Sequence, residues 1–234
     1  MSYTILITGN RKGIGRFLTE NYINLGYNVI GCSRNISDFT HSNYLHIECD
    51  VSDEKSVKNV VKNAIDKFKK IDVLINNAGV ASLNHSILTP GSTVKKVFET
   101  NFNGTFYFSR EVAKYMMKNG AGKIINFSTV AVPLNLEGEM IYASSKAAIE
   151  KMTKIMAKEL SNYNIQVNAI GPTPIETDLI KTIPKIKIEE LISSQTIKRL
   201  GTFEDILNII DFFINKKSGM ITGQILYLGG LWLQ

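Results

Sequence analysis

Apolar residues recur along this chain in two rhythms. Short, nearly unbroken apolar runs occupy 3–8, 28–32, 44–49, 72–75, 123–127, 165–170 and 224–228. Between many of them lie longer stretches where apolar residues return every three or four positions, as Val57, Val60, Val61, Ala64, Ile65 and Phe68 do. The first rhythm predicts strands buried on both faces, and the second predicts amphipathic helices. Helices are expected at 14–25, stopped by Gly26, at 52–68, opened by Ser52 and Asp53, and at 94–118, 141–162 and 203–215. Strand and helix in alternation predict an α/β fold: a doubly wound parallel sheet with helices on both faces, joined by right-handed crossovers. No linker, composition shift or internal repeat divides the chain, so 1–234 reads as a single domain. The irregular stretch 171–200, with Pro172, Pro174 and Pro184, is long enough to suggest a substrate lid at about 175–200.

Composition narrows the classes. Hydrophobic residues make up 44% and charged residues 21%, with 17 Gly and 5 Pro, which excludes disorder or a collagen repeat as a whole-chain description. Two cysteines, Cys32 and Cys49, cannot build a disulfide scaffold or a four-cysteine zinc site, and no metal is expected. They read as strand-end packing residues, and such sparse use fits a reducing cytoplasm. The apolar run 206–214 is broken by Asn208 and Asp211, and nothing approaches the roughly 18 residues of a membrane helix. The start, MSYTILITG, lacks the basic region of a signal peptide. The net charge is +6, but the lysines are scattered and no run reaches five like charges. That describes a solvated surface rather than a nucleic-acid footprint, and leaves anionic ligands open.

Residues 8–15 read TGNRKGIG, between the first predicted strand and the first helix. Glycines there let the backbone turn tightly and approach a pyrophosphate, while the helix start offers free N–H groups and a positive dipole end. The spacing resembles the cofactor turn of the short-chain dehydrogenase/reductase family. The resemblance continues in family order through Asp50 and Val51, Asn76-Asn77-Ala78-Gly79, Asn101, Tyr142-Ala143-Ser144-Ser145-Lys146 and Thr222-Gly223-Gln224, and covers essentially the whole chain. It implies a Rossmann-type fold in which Gly9, Gly13, Ile14 and Gly15 form the pyrophosphate turn. Asp50 and Val51 would then flank the adenine, Asn77, Ala78 and Gly79 would wall the cofactor, and Pro172, Ile175 and Thr177 would meet the nicotinamide end. The family usually shows Pro-Gly after the sixth strand, whereas this chain has Pro172-Thr173-Pro174.

Cofactor choice follows from charge. An acidic residue at the end of the second strand would bond a ribose 2′-hydroxyl and repel a 2′-phosphate. Ser33 and Arg34 stand there instead, and Arg11 and Lys12 add cations in the neighbouring turn. An arginine pairs a phosphate through two bonds at once, so NADP(H) is expected over NAD(H).

Tyr142 and Lys146 are four residues apart on a predicted helix, hence on one face. A nearby ammonium is expected to lower the tyrosine pKa and fit Tyr142 for acid–base work. By the resemblance, Lys146 also holds the nicotinamide ribose, and Asn101 anchors a proton-relay water. Family members usually carry a Ser thirteen residues before the catalytic Tyr. Here that residue is Thr129, which keeps a hydroxyl donor, with Ser128 beside it. The resemblance implies an NADP(H)-dependent oxidoreductase acting on a carbonyl or alcohol carbon, closest in flavour to the 3-oxoacyl-carrier-protein reductase type. The substrate would be a small or carrier-bound carbonyl compound. The alternatives are an oxidative alcohol or sugar dehydrogenase, and an NADP(H)-binding sensor without turnover. Family members form homodimers or homotetramers through their long helices and C-terminal strand, where Leu231 and Trp232 would be buried.

Overall fold

The computed structural model describes residues 3–178, 180 and 183–231. Its strands are β1 (Thr4–Thr8), β2 (Asn28–Ser33), β3 (Tyr44–Glu48), β4 (Val73–Asn76), β5 (Gly122–Phe127), β6 (Ile165–Gly171) and β7 (Ile225–Tyr227). They form one sheet in the order β3-β2-β1-β4-β5-β6-β7, and every neighbouring pair is parallel. The helices are α1 (Gly13–Asn24), α2 (Glu54–Phe68), α3 (Gly91–Phe98), α4 (Gly104–Asn119), α5 (Ala131–Leu134), α6 (Met140–Glu159), α7 (Lys185–Ser194) and α8 (Phe203–Ile214).

Strand alternation splits the core into two layers. Leu6, Ile30, Leu74, Ile124 and Val167 face α2 and α4, meeting Val57, Val61, Phe108, Val112 and Met116. Ile5, Ile7, Val29, Val73 and Ile125 face α1 and α8, meeting Leu18, Tyr22, Ile206, Ile210 and Phe213. Full burial of each such side chain contributes about 1.5–3 kcal/mol.

Helix starts are treated unequally. The Asp53 carboxylate accepts from the backbone N–H of Lys55 and Ser56, both at 3.1 Å, and so caps α2. Thr202 and Asp205 close a reciprocal capping box on α8. No side chain caps α1, whose first turn opens on the glycine-rich turn.

Three expected elements differ. The helix predicted at 94–118 is α3 and α4, joined by a π-helical turn at Glu99–Asn103. That turn carries the fully buried Asn101, whose amide bonds both neighbouring chain segments. The helix predicted at 141–162 ends at Glu159 and is followed by a 3-10 turn, Ser161–Tyr163. Among the described residues of the lid expected at about 175–200, the longest helix is α7, which begins directly after Pro184. Leu179 of that lid and Trp232 lie outside the described residues. Among the described residues, no helix is long and apolar enough to cross a membrane, and no cluster of His, Cys, Asp and Glu could hold a metal ion.

Candidate active site

The strand order reverses between β1 and β4, where connections leave to opposite sides and a crevice opens at the carboxyl ends of the strands. A cleft of about 1550 Å³ lies along that edge, lined by residues from Ser33 and Arg34 at one end to Tyr142 and Lys146 at the other. Gly9, Arg11, Lys12, Gly13, Ile14, Asp50, Val51, Asn77, Ala78, Gly79, Thr129, Pro172, Ile175 and Thr177 line it too.

At the turn, Gly9 has φ 69°, and a Cβ there would lie 2.8 Å from Ala78 Cα. Only glycine tolerates both conditions. Asn77 Nδ2 donates to the carbonyls of Thr8 (2.9 Å) and Gly9 (3.1 Å), and the Ala78 N–H donates to Thr8 Oγ1 (3.0 Å). The end of β4 thereby clamps the turn after β1. Ser52 donates to Asp50 through its N–H (2.9 Å) and Oγ (2.7 Å). That bonding, with the Arg34 charge nearby, holds the Asp50 carboxyl below the usual range. The cations are not equivalent, since Arg11 and Arg34 are exposed on the rim, whereas Lys12 is ion-paired with Asp178.

At the other end, α6 presents Tyr142 and Lys146 one turn apart. The Lys146 ammonium donates to the Phe127 carbonyl at 2.8 Å and sits 6.0 Å from the Tyr142 ring centre. Burial lowers the Lys146 pKa to about 8. Tyr142 moves the other way, to about 12: burial and the Glu139 carboxylate raise it, and a hydrogen bond with Thr129 opposes them. The lowering expected from Lys146 is therefore not what this geometry produces. The lysine is turned to a backbone carbonyl, and its own charge is disfavoured by the same burial. Ser128 is committed elsewhere, donating to Glu150, which also accepts from the Tyr227 hydroxyl at 2.5 Å.

The family described as short chain dehydrogenase matches residues 3–187. This chain belongs to that family. Among its relatives is the 3-oxoacyl-[acyl-carrier-protein] reductase FabG of Salmonella typhimurium, 30% identical over 231 residues, covering 96% of this chain and 95% of the relative. Two solved structures superpose with TM-scores of 0.89, each covering 97% of both chains: ElxO with NADP bound, 29% identical, and the 3-ketoacyl-(acyl-carrier-protein) reductase of Brucella melitensis complexed with NADH, 26% identical.

Two residues expected in this short-chain dehydrogenase site stand behind the cleft rather than on its wall. A Cβ on Gly15 would fall 2.5 Å from the Gly9 carbonyl and 2.7 Å from Asn77 Nδ2, so Gly15 serves close packing of helix on turn. Asn101 Oδ1 accepts from the Val80 N–H at 2.8 Å, while its Nδ2 donates to Val80 O (2.9 Å) and Ser145 Oγ (3.0 Å). It thus braces the segment behind Gly79, whose Cβ would lie 3.3 Å from Asn101 Oδ1 and 3.5 Å from Lys146 Nζ.

Sequence reasoning missed two residues, one on the cleft wall and one behind it. Glu139 lines the cleft and raises Tyr142; it stands just before α6, three residues ahead of Tyr142, and that nearness along the chain was the available signal. Gln195 accepts a hydrogen bond from the buried Thr173 hydroxyl and ties the irregular turn after β6 to the end of α7. No local pattern announces that contact, which spans 22 residues.

Proposed function

We propose that this short-chain dehydrogenase reduces a carbonyl compound with NADPH, with Tyr142 as the proton donor. The observation that carries the reading is continuity: one cleft joins the glycine-rich turn and Arg34 to Thr129, Tyr142 and Lys146. The residues fit the cofactor. Gly9 and Gly13 hold positive φ, the first turn of α1 is uncapped, and no carboxylate ends β2. Gly9, Gly13 and Ile14 would hold the pyrophosphate on a turn kept tight by the close-packed Gly15 behind it, and Arg34 with Arg11 would hold the 2′-phosphate. Asp50 and Val51 would flank the adenine. Asn77, Ala78 and Gly79 would form the wall, with Pro172, Ile175 and Thr177 at the nicotinamide and Lys146 on its ribose. Neighbours are described with NADP and with NADH, so the preference rests on Arg34, Arg11 and the missing acid.

The reduced nicotinamide supplies the hydride. Tyr142, kept protonated by burial and Glu139, donates its proton to the carbonyl oxygen as that oxygen gains charge, and the Thr129 hydroxyl donates a hydrogen bond to the same atom. Asn101 acts as a brace for the wall at Gly79 and Val80. Leu83, Leu136, Ile188 and Leu191 give the far end of the cleft an apolar lining, and α7 serves as its lid. With relatives named for 3-oxoacyl carrier substrates, this supports a carrier-bound or similarly apolar 3-oxo compound. Two buried free thiols, Cys32 and Cys49, suit a reducing cytoplasm. An apolar groove between α4 and α6, containing the exposed Phe106 and Ile155, supports assembly into a homodimer or homotetramer.

The test is NADPH oxidation across a panel of carbonyl compounds that includes 3-oxoacyl thioesters. Turnover that falls at least about 100-fold in Tyr142→Phe, with NADPH binding retained, supports the reading. Binding without consumption across the panel would make the chain a sensor and overturn it.

A further inference from the structure

His46 takes no part in the site described above, yet it ends an unbroken hydrogen-bond chain that runs beneath the cleft. Asn10, fully buried under the glycine-rich turn, donates through Nδ2 to Thr19 Oγ1 (3.2 Å) and to the Tyr44 hydroxyl (2.6 Å). Thr19 passes its own proton to the Gly15 carbonyl at 2.8 Å, inside the first turns of α1. Tyr44, already accepting from Asn10, has its O–H free for His46 Nδ1 at 2.9 Å. A neutral imidazole accepts at one nitrogen and donates from the other. His46 Nε2–H therefore points at the Asn35 carbonyl (3.1 Å) and Ser33 Oγ (3.2 Å). Ser33 Oγ in turn donates to that same carbonyl at 2.7 Å. The Nε2–H is shared between those two oxygens, and the rest of the chain runs in one direction from Asn10 to His46.

The register explains why His46 can reach. It lies opposite Gly31 on the neighbouring strand, and a Cβ at Gly31 would fall 1.8 Å from Asn10 Nδ2. The missing side chain makes room for the amide that feeds Tyr44. At the far end, Ser33, Arg34 and Asn35 line the cleft, and Arg34 sits between the two residues that the imidazole engages.

We propose that His46 is a positioning residue that holds segment 33–35 in the shape that receives the ribose 2′-phosphate. The inference rests on the NADP(H) reading given above. Without the imidazole donor, the Asn35 carbonyl keeps only Ser33, and Ser33 Oγ loses its donor. The backbone that carries Arg34 is then held at fewer points. A doubly charged phosphate needs the guanidinium in place, whereas a plain 2′-hydroxyl does not. The effect therefore falls on one cofactor and spares the other.

The experiment titrates the full chain with NADPH and with NADH, read by cofactor fluorescence, in the wild type, His46→Phe and His46→Gln. Gln places an N–H where Nε2 donates. His46→Phe should weaken NADPH binding about fivefold relative to NADH, the size of one hydrogen bond, and His46→Gln should recover most of it. An equal shift for both cofactors, no shift, or a shift that Gln does not reverse would overturn the role. The wild-type preference tests the cofactor reading separately, because the change in ratio on substitution is measured whichever cofactor the wild type favours. If His46→Phe does not fold, Tyr44→Phe breaks the chain one link earlier and is judged by the same ratio.

Discussion

Glu139 and Thr129 act on the Tyr142 proton in opposite directions, on top of the burial that raises it. The Glu139 carboxyl is itself raised by burial, with Lys187 opposing, and when ionised it disfavours the tyrosinate. Glu139→Gln removes that charge, so the Tyr142 pKa should fall. In the alcohol-oxidising direction the rate needs tyrosinate, and its pH–rate profile should move to lower pH. An unmoved profile would show that Glu139 does not govern the tyrosine. Lys146 concerns stability as well. Its folded pKa of about 8 lies below the ordinary 10.5, so the unfolded chain binds the proton more firmly. The penalty is full below about pH 8 and disappears as pH rises past 10.5. Lys146→Met should lose activity yet unfold about 2 kcal/mol harder at pH 7, being a shift of about 3 kcal/mol less one hydrogen bond to Phe127. Urea unfolding at pH 7 and pH 10 checks that the gap narrows. At this scale spacing brought out Tyr142 and Lys146 as candidates, and the family resemblance brought out Thr129; all three line the cleft. The sequence could not give the sign of the tyrosine shift, which depends on where the lysine points and on Glu139.

Elements were legible wherever their signals are local. The burial-driven strands and Asp53 at the start of α2 follow from periodicity and capping chemistry, and their ends moved by only a residue or two. The π-helical turn at Glu99–Asn103 was not legible, because its cause is tertiary: Asn101 is shared between Val80 and Ser145, far away along the chain. The two kinds of helix start make contrasting predictions. Asp53→Ala should cost about 1 kcal/mol in denaturant unfolding and leave NADPH affinity unchanged, since that cap serves only α2. Gly15→Ala should weaken NADPH binding at least tenfold and also cost about 1–3 kcal/mol in unfolding, because its methyl would press the turn itself. Equal losses of affinity in the two variants would contradict this division.

For the whole molecule, charge and topology were readable early. A doubly wound parallel sheet follows from strand–helix alternation with right-handed crossovers, while the order β3-β2-β1-β4-β5-β6-β7 and the place of its reversal are seen in the structure. The stretch 175–200 was less readable, since apolar periodicity alone does not separate a surface that covers a cleft from the core of a static helix pair. The proposed assembly rests on the groove between α4 and α6. Ile155 is 48% exposed and Phe106 36%, large apolar groups that a lone subunit gains nothing by showing. A charge at either, as in Phe106→Asp or Ile155→Lys, should reduce the mass measured by light scattering and leave the circular dichroism spectrum unchanged. A mass already equal to one subunit in the wild type would remove the assembly reading.

Gly31 and Asn10 also constrain how this sequence can change. The amide occupies the volume that any β-carbon on the second strand would need. A mutation to alanine at 31 is blocked while the amide stays, and trimming the amide first leaves a hole beside Tyr44. The two positions must be exchanged together, so sequences that differ at both are separated by a step that single substitutions cross only at a loss.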